Sequence, residues 1–158
     1  MNRQKRKKTT PIPVKLIAPC GMNCRLCWGY IRENNTCPGC RNIAGKDSLK
    51  SKYRHTCIIK NCRHMAEPGI RYCSGRCDRY PCTRLKNLDK RYRMKYGMSM
   101  IDNLEMIHAF GIKYFIRNEK EKWTCPECGE LICVHRPACL LCGYQWRLDR
   151  AVTTVMHL

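Results

Sequence analysis

At 158 residues the chain suits one compact domain or two very small ones. It is strongly basic, with 31 Lys and Arg against 12 Asp and Glu and a formal net charge of +19, and Leu, Ile, Val and Phe together make up under a fifth of it. Such a composition excludes an ordinary aliphatic-cored domain, because little apolar burial is on hand to offset roughly 1–2 kcal/mol of backbone entropy per residue.

Residues 1–13 read as a disordered basic arm. Arg3, Lys5, Arg6, Lys7 and Lys8 crowd its first eight positions, while Pro11 and Pro13 resist regular structure. Arms of this kind bind nucleic acid or act as address signals; a merely solvated tail is the plainer alternative. The apolar stretch that follows, Val14 to Ala18, is short and broken by Lys15. It is neither a signal-peptide core nor a membrane span, so a cytoplasmic, reducing setting is expected. The odd total of 15 Cys also argues against a disulfide framework.

Residues 14–82 form a Cys-rich metal-binding module with ten cysteines: Cys20, Cys24, Cys27, Cys37, Cys40, Cys57, Cys62, Cys73, Cys77 and Cys82. Gly and Pro punctuate it, which predicts short turns around metal-binding knuckles. The spacing of Ile58, Cys62 and Met65 predicts a short helix over 58–66. Residues 83–122 are the helical, basic segment. Leu85, Leu88, Tyr92 and Tyr96 make one apolar stripe that Gly97 should stop. Ser99 with Asp102 resembles a capping box opening a second helix through Met100, Ile101, Leu104, Ile107 and Phe110. Gly111 interrupts, and a third helix from Ile112 runs to about Lys122. Residues 123–147 read as a zinc ribbon, and 148–158 as a tail.

The ribbon is the strongest motif. Cys125-Pro-Glu-Cys128-Gly and Cys139-Leu-Leu-Cys142-Gly are two knuckles whose paired thiolates can reach one ion, with a glycine permitting the tight turn behind each. Leu131, Ile132 and Val134 between them suit the strands of a small β-hairpin. Cys133 is read as a small buried hydrophobe and His135 as a surface or outer-sphere histidine rather than a ligand.

The other ten cysteines partition less readily. Cys24 and Cys27 with Cys37 and Cys40 would make one tetrahedral site, and Cys57 and Cys62 with Cys73 and Cys77 another, leaving Cys20 and Cys82 over. His55 and His64 are alternative ligands. Cys20, Cys24 and Cys27 match the three-cysteine pattern of radical S-adenosylmethionine enzymes, but the chain lacks the length and the alternating pattern of their barrel. A plain iron–sulfur cluster is the alternative to zinc at these N-terminal cysteines. Two or three zinc ions would then add binding energy on the order of 10–16 kcal/mol each to folding and take the place of an apolar interior.

No catalytic set stands out: the 12 acidic residues are scattered, and no nucleophile–base pair or phosphate loop is visible. A non-enzymatic role is expected. Even with twelve thiolates around three zinc ions the charge stays near roughly +13, which favours polyanions. Arg84, Lys86, Lys90, Arg91, Arg93 and Lys95 on the first long helix, and Lys46, Lys50, Lys52 and Arg54 before it, are candidate phosphate contacts. Tyr92 and Tyr96 are candidate stacking platforms for unpaired bases.

The order CGMNCRLC, CPGC, CIIKNC and YCSGRCDRYPC, followed by SMIDNLEMIHAFGI, EKWTCPECGELICVH and CLLCG, resembles a cysteine-rich prokaryotic family known as domain of unknown function 3795. Over residues 16–146 the resemblance implies a metal-binding prokaryotic cytoplasmic protein and carries over no reaction. The reading as a whole is a small irregular α+β metal-stabilised protein that binds RNA or the ribosome through its arm and helix, and no membrane. An iron–sulfur electron-transfer or assembly factor, and a basic adaptor for an acidic protein partner, are the alternatives.

Overall fold

The structure, a computed structural model, describes residues 10–41 and 57–147. The arm cations Arg3, Lys5, Arg6, Lys7 and Lys8, the run Lys46, Lys50, Lys52 and Arg54, His55 and the tail 148–158 lie outside the described residues.

Short 3-10 turns at Val14–Leu16 and Cys24–Leu26 lead to a one-turn helix, α1 (Trp28–Ile31). Asn23 starts the second turn, its side-chain oxygen accepting the Arg25 N–H at 3.1 Å. The helix expected over 58–66 does not form. Its place is taken by a turn and a 3-10 helix at Arg63–Ala66. Neighbouring Pro68-Gly69 offers no continuation, and isolated segments this short gain too little to nucleate an α-helix.

The middle of the chain follows its pattern. Helix α2 (Thr83–Tyr96) ends where Gly97 takes φ +61°, and the paired bonds from Gly97 N–H to Arg93 O and Met98 N–H to Tyr92 O close its last turn. Helix α3 (Met100–Phe110) starts at Ser99, whose hydroxyl oxygen accepts the Asp102 N–H at 3.0 Å. Gly111 separates it from α4 (Ile112–Trp123).

Asp89 ties α2 to α3. Although acidic, it is buried, because it falls on the Leu85–Tyr92–Tyr96 side of the helix. Its carboxylate accepts from Ser99 Oγ at 2.7 Å, Ile101 N–H at 3.0 Å and Arg93 Nε at 2.7 Å. Those donors hold the carboxyl below its ordinary range even though burial alone would raise it.

A continuous apolar core does exist, which corrects the expectation that metal ions take its place. Trp123, Phe115, Leu104, Met98, Met100, Leu85, Leu26 and Ile17 are all but fully buried. Trp123 meets Trp146 edge-to-face at 5.6 Å, and both belong to one cluster that also takes in Ile132 and Val134. The aliphatic count misjudged this because the few Leu, Ile, Val and Phe residues present are concentrated in the interior, with Met, Trp and Cys filling in around them. Phe110, expected on the apolar side of α3, is instead exposed.

The β half of the expected α+β fold is also corrected. Beyond two isolated bridges, Ile17–Asn23 and Thr124–Leu131, no strand forms among the described residues. The backbone donors of 131–134 are spent elsewhere: Ile132 N–H on Trp123 O at 2.8 Å and Val134 N–H on Leu26 O at 2.9 Å. This segment is therefore stitched to α4 and to the N-terminal turns, with Leu131, Ile132, Cys133 and Val134 buried in a row, rather than paired with a returning strand. No helix among the described residues is long and apolar enough to cross a membrane.

Candidate metal centres

Two copies of one backbone turn build the C-terminal site. In the first, Cys125 N–H donates to Glu130 O at 2.8 Å and Gly129 N–H to Cys125 O at 2.9 Å. In the second, Cys139 N–H donates to Tyr144 O at 2.8 Å and Gly143 N–H to Cys139 O at 2.9 Å. Gly129 and Gly143 both sit at φ +77°, a region L-residues with a Cβ rarely enter, which is why glycine follows each second cysteine. Each turn points two sulfurs the same way.

The two turns face one another. Cys125 and Cys142 Sγ are 3.6 Å apart, as are Cys128 and Cys139 Sγ, and all four lie within 4.8 Å of one another. Four bonds of about 2.3 Å at tetrahedral angles set thiolates roughly 3.8 Å apart around a single zinc ion. This quartet is therefore a group that can hold a metal ion as it stands. Burial pushes Cys125 up, but the Cys128 and Glu127 backbone N–H groups and neighbouring thiols outweigh it and bring the group down to about 7. Cys128 moves the other way, to about 12, through burial and the adjacent thiols. A bound cation would reverse that second penalty and take all four as thiolates.

Cys133 is not part of this quartet. It is wholly buried in the core region, and burial raises its thiol. His135 is half-buried and spent on structure: Nδ1 accepts the Trp28 N–H at 3.2 Å and Nε2 faces the Tyr92 hydroxyl at 3.2 Å. Burial, with Arg147 and Arg136 nearby, holds the ring neutral by lowering it below its ordinary value.

No family model, curated protein or solved structure matches this chain. Its chemistry is that of its own residues, and the resemblance described above rests on the ten ordered cysteines, the SMIDNLEMIHAFGI stretch and the C-terminal knuckles.

No disulfide joins the ten N-terminal cysteines among the described residues, and most of them gather in two neighbourhoods. In the first, Cys24 is hydrogen-bonded to Cys40, which together with burial raises it. Cys27 lies near Cys37 and Cys40, and Cys20, pushed up to about 12 by burial, lies near Cys40, Cys57 and Cys73. In the second, Cys62, Cys73, Cys77 and Cys82 line one small cavity. Cys82 thus stands with Cys62, Cys73 and Cys77 around this cavity, while Cys20 and Cys57 lie between the two neighbourhoods, Cys20 near both Cys40 and Cys73 and Cys57 near Cys73. In neither neighbourhood do three of these sulfurs lie within 4.8 Å of one another among the described residues. His64 borders the second group, with Nδ1 engaged by Glu67 at 2.9 Å.

The candidate phosphate contacts on α2 separate into two kinds. Arg84, Lys86, Lys90, Arg91 and Lys95 are exposed, and no carboxylate pairs with them among the described residues. Arg93 is different: it bridges Asp89 at 2.7 Å and Asp102 at 3.0 Å, so its charge is neutralised internally. With Asp89 turned inward, the exposed surface of α2 carries no acid at all. Tyr92 and Tyr96 are not available for stacking, since both rings pack edge-on against His135, at 5.6 and 4.6 Å. Sequence reasoning missed a different aromatic pair. Phe110 and Tyr114 are exposed, 4.9 Å apart and tilted by 38°, with Arg117 over Tyr114 at 5.2 Å. The Gly111 break between two helices was the available signal, because it places Phe110 at a corner where no further turn covers it.

Proposed function

We propose that the chain is a zinc-containing RNA-binding protein that works on the ribosome or another structured RNA, and that it makes no covalent change in its target. Zinc would sit in the Cys125, Cys128, Cys139 and Cys142 quartet, where it fixes the C-terminal segment against the core. The observation that carries the reading is α2: five exposed, unpaired cations along a helix whose one acid is buried. On a helical wheel Arg84, Arg91 and Lys95 run along one side of the exposed ridge and Lys86 and Lys90 along the other, which spaces charge for contact with two phosphate rows. A merely solvated helix would mix in acids to balance its field.

Phe110 and Tyr114 supply the second element. Exposed aromatic faces beside Lys113 and Arg117 suit stacking on unpaired bases, worth about 1–3 kcal/mol per base. Phosphate contact would position the RNA, and stacking would favour loops or unpaired ends over a continuous duplex.

Fluorescence anisotropy of labelled hairpin RNA across a salt series tests this directly. Contact with some six to ten phosphates predicts an affinity loss of roughly 10³–10⁵ between about 50 and 200 mM salt. Binding that ignores salt, or a purified protein that brings along a stoichiometric acidic protein and no nucleic acid, would replace RNA by a protein partner.

A further inference from the structure

The second thiol neighbourhood has a shape that a single ion does not explain. Cys62, Cys73, Cys77 and Cys82 line a cavity of about 40 Å³, and the rest of its wall is mainly apolar, including Met65, Ile70, Tyr80 and Leu85. That is room for roughly three water-sized bodies, yet water would find almost no hydrogen-bonding partners there besides sulfur. The same chain shows what a mononuclear thiolate site looks like: the C-terminal quartet already stands at single-ion spacing. Around this cavity no three sulfurs come within 4.8 Å. Four soft ligands held apart about an apolar space match a polynuclear centre, whose thiolates are separated by its own inorganic core.

The surroundings favour an anionic centre. Cys82 is the residue from which α2 starts, at the positive end of a 14-residue helix, an end that favours negative charge. On the outer side of the same thiols an open depression is lined by Cys62, Cys77 and Cys82 together with Arg63, Arg79 and Arg84. Three guanidinium groups there would offset the negative charge of a cluster bound by four thiolates.

We propose that Cys62, Cys73, Cys77 and Cys82 bind an iron–sulfur cluster, distinct from the ion of the C-terminal quartet. Only Arg84 is shared between this site and the α2 surface proposed for RNA, and none of the four thiols is, so the assignment fails or stands separately from RNA binding.

The test uses the full chain, produced in iron-replete cells and purified without oxygen, with inorganic sulfide and an equimolar mixture of ferrous and ferric iron as the reconstitution probe, so that no further oxidant is needed. The expected protein is coloured, contains iron and acid-labile sulfide in equal amounts, and retains zinc. Cys77→Ser and Cys62→Ser should lose colour and iron while keeping zinc and helical content, and Cys142→Ser should lose zinc while keeping colour. Should the serine variants fail to fold, the wild-type protein decides. Bleaching with a ferrous chelator under argon must open Cys62, Cys73, Cys77 and Cys82 to iodoacetamide and leave the labelling of Cys24 and Cys27 unchanged. A colourless protein after reconstitution, zinc at these four thiols, or bleaching that exposes Cys20, Cys24 and Cys27 instead, would overturn the assignment.

Discussion

The surface of α2 permits a test in which equal losses of charge have unequal effects. Arg84, Arg91 and Lys95 are exposed and no carboxylate pairs with them among the described residues, whereas Arg93 spends its guanidinium on Asp89 and Asp102 at 2.7 and 3.0 Å. Under the proposed function, replacing the first three by Gln should remove three phosphate contacts. At roughly 0.7–0.9 counterions released per contact, the slope of log affinity against log salt should fall by about 2–3, and affinity near 100 mM salt by about a hundredfold. Replacing Arg93 by Gln removes a cation already held by Asp89 and Asp102, so under the same proposal the slope should stay unchanged while stability declines. Anisotropy titrations with one hairpin RNA at four or five salt concentrations give both slopes. If Arg93→Gln lowers the slope as much as each of the other substitutions does, net charge and not the α2 surface governs binding, and the assignment of the face is wrong.

Four further outcomes are expected. Phe110→Ala with Tyr114→Ala should weaken binding to an unpaired loop by about 1–3 kcal/mol per stacked base, leave the salt slope alone and scarcely affect a continuous duplex, as read by the same anisotropy assay. Asp89→Ala strands Ser99 Oγ and the Ile101 N–H in the α2–α3 joint and should cost about 3 kcal/mol in urea unfolding of the metal-loaded protein; a loss under about 1 kcal/mol would mean the joint is held by packing alone. His135 is held neutral, below its ordinary value of 6.5, so its contribution to stability is complete above that pH and drains away as the pH falls beneath it. Thermal unfolding of His135→Gln should therefore lack part of the acid-side decline seen in the wild type, since loss of quartet metal is common to both, and identical pH profiles would contradict the neutral, doubly bonded ring. Cys128→Ser should release the quartet's ion and loosen Trp146 from Trp123, visible as a shift in tryptophan emission, and unchanged emission would show that the segment docks without metal.

The helices were legible because their signals are local. The Leu85–Leu88–Tyr92–Tyr96 stripe, Gly97 and the Ser99–Asp102 pair each act within one or two turns, and α2, α3 and α4 begin and end where those residues predict. The quartet was legible for the same reason: two CxxCG turns carry their own hydrogen bonds, and only their meeting is long-range. The direction of Asp89 and the two tyrosines was present in the same periodicity, since Asp89 follows Leu85 by four, but charge suggested an outward carboxylate. The core escaped notice because a low aliphatic count says nothing of where those residues gather: Leu, Ile and Phe from the N-terminal turns, α3, α4 and the C-terminal segment meet there, joined by Trp, Met and Cys. The grouping of Cys82 with Cys62, Cys73 and Cys77 depends on how loops close over one another. Spacing along the chain does not encode that closure.

The central claim is that the four C-terminal thiols are a metal site on which the docking of the ribbon segment depends. Native mass spectrometry of the full chain, reduced and then dialysed against zinc, tests it most directly. One ion should be retained by the wild-type protein and lost in Cys125→Ser and Cys142→Ser, with a lower melting temperature in both. A wild-type mass without that ion, or variants that keep the ion and melt with the wild type, would contradict it.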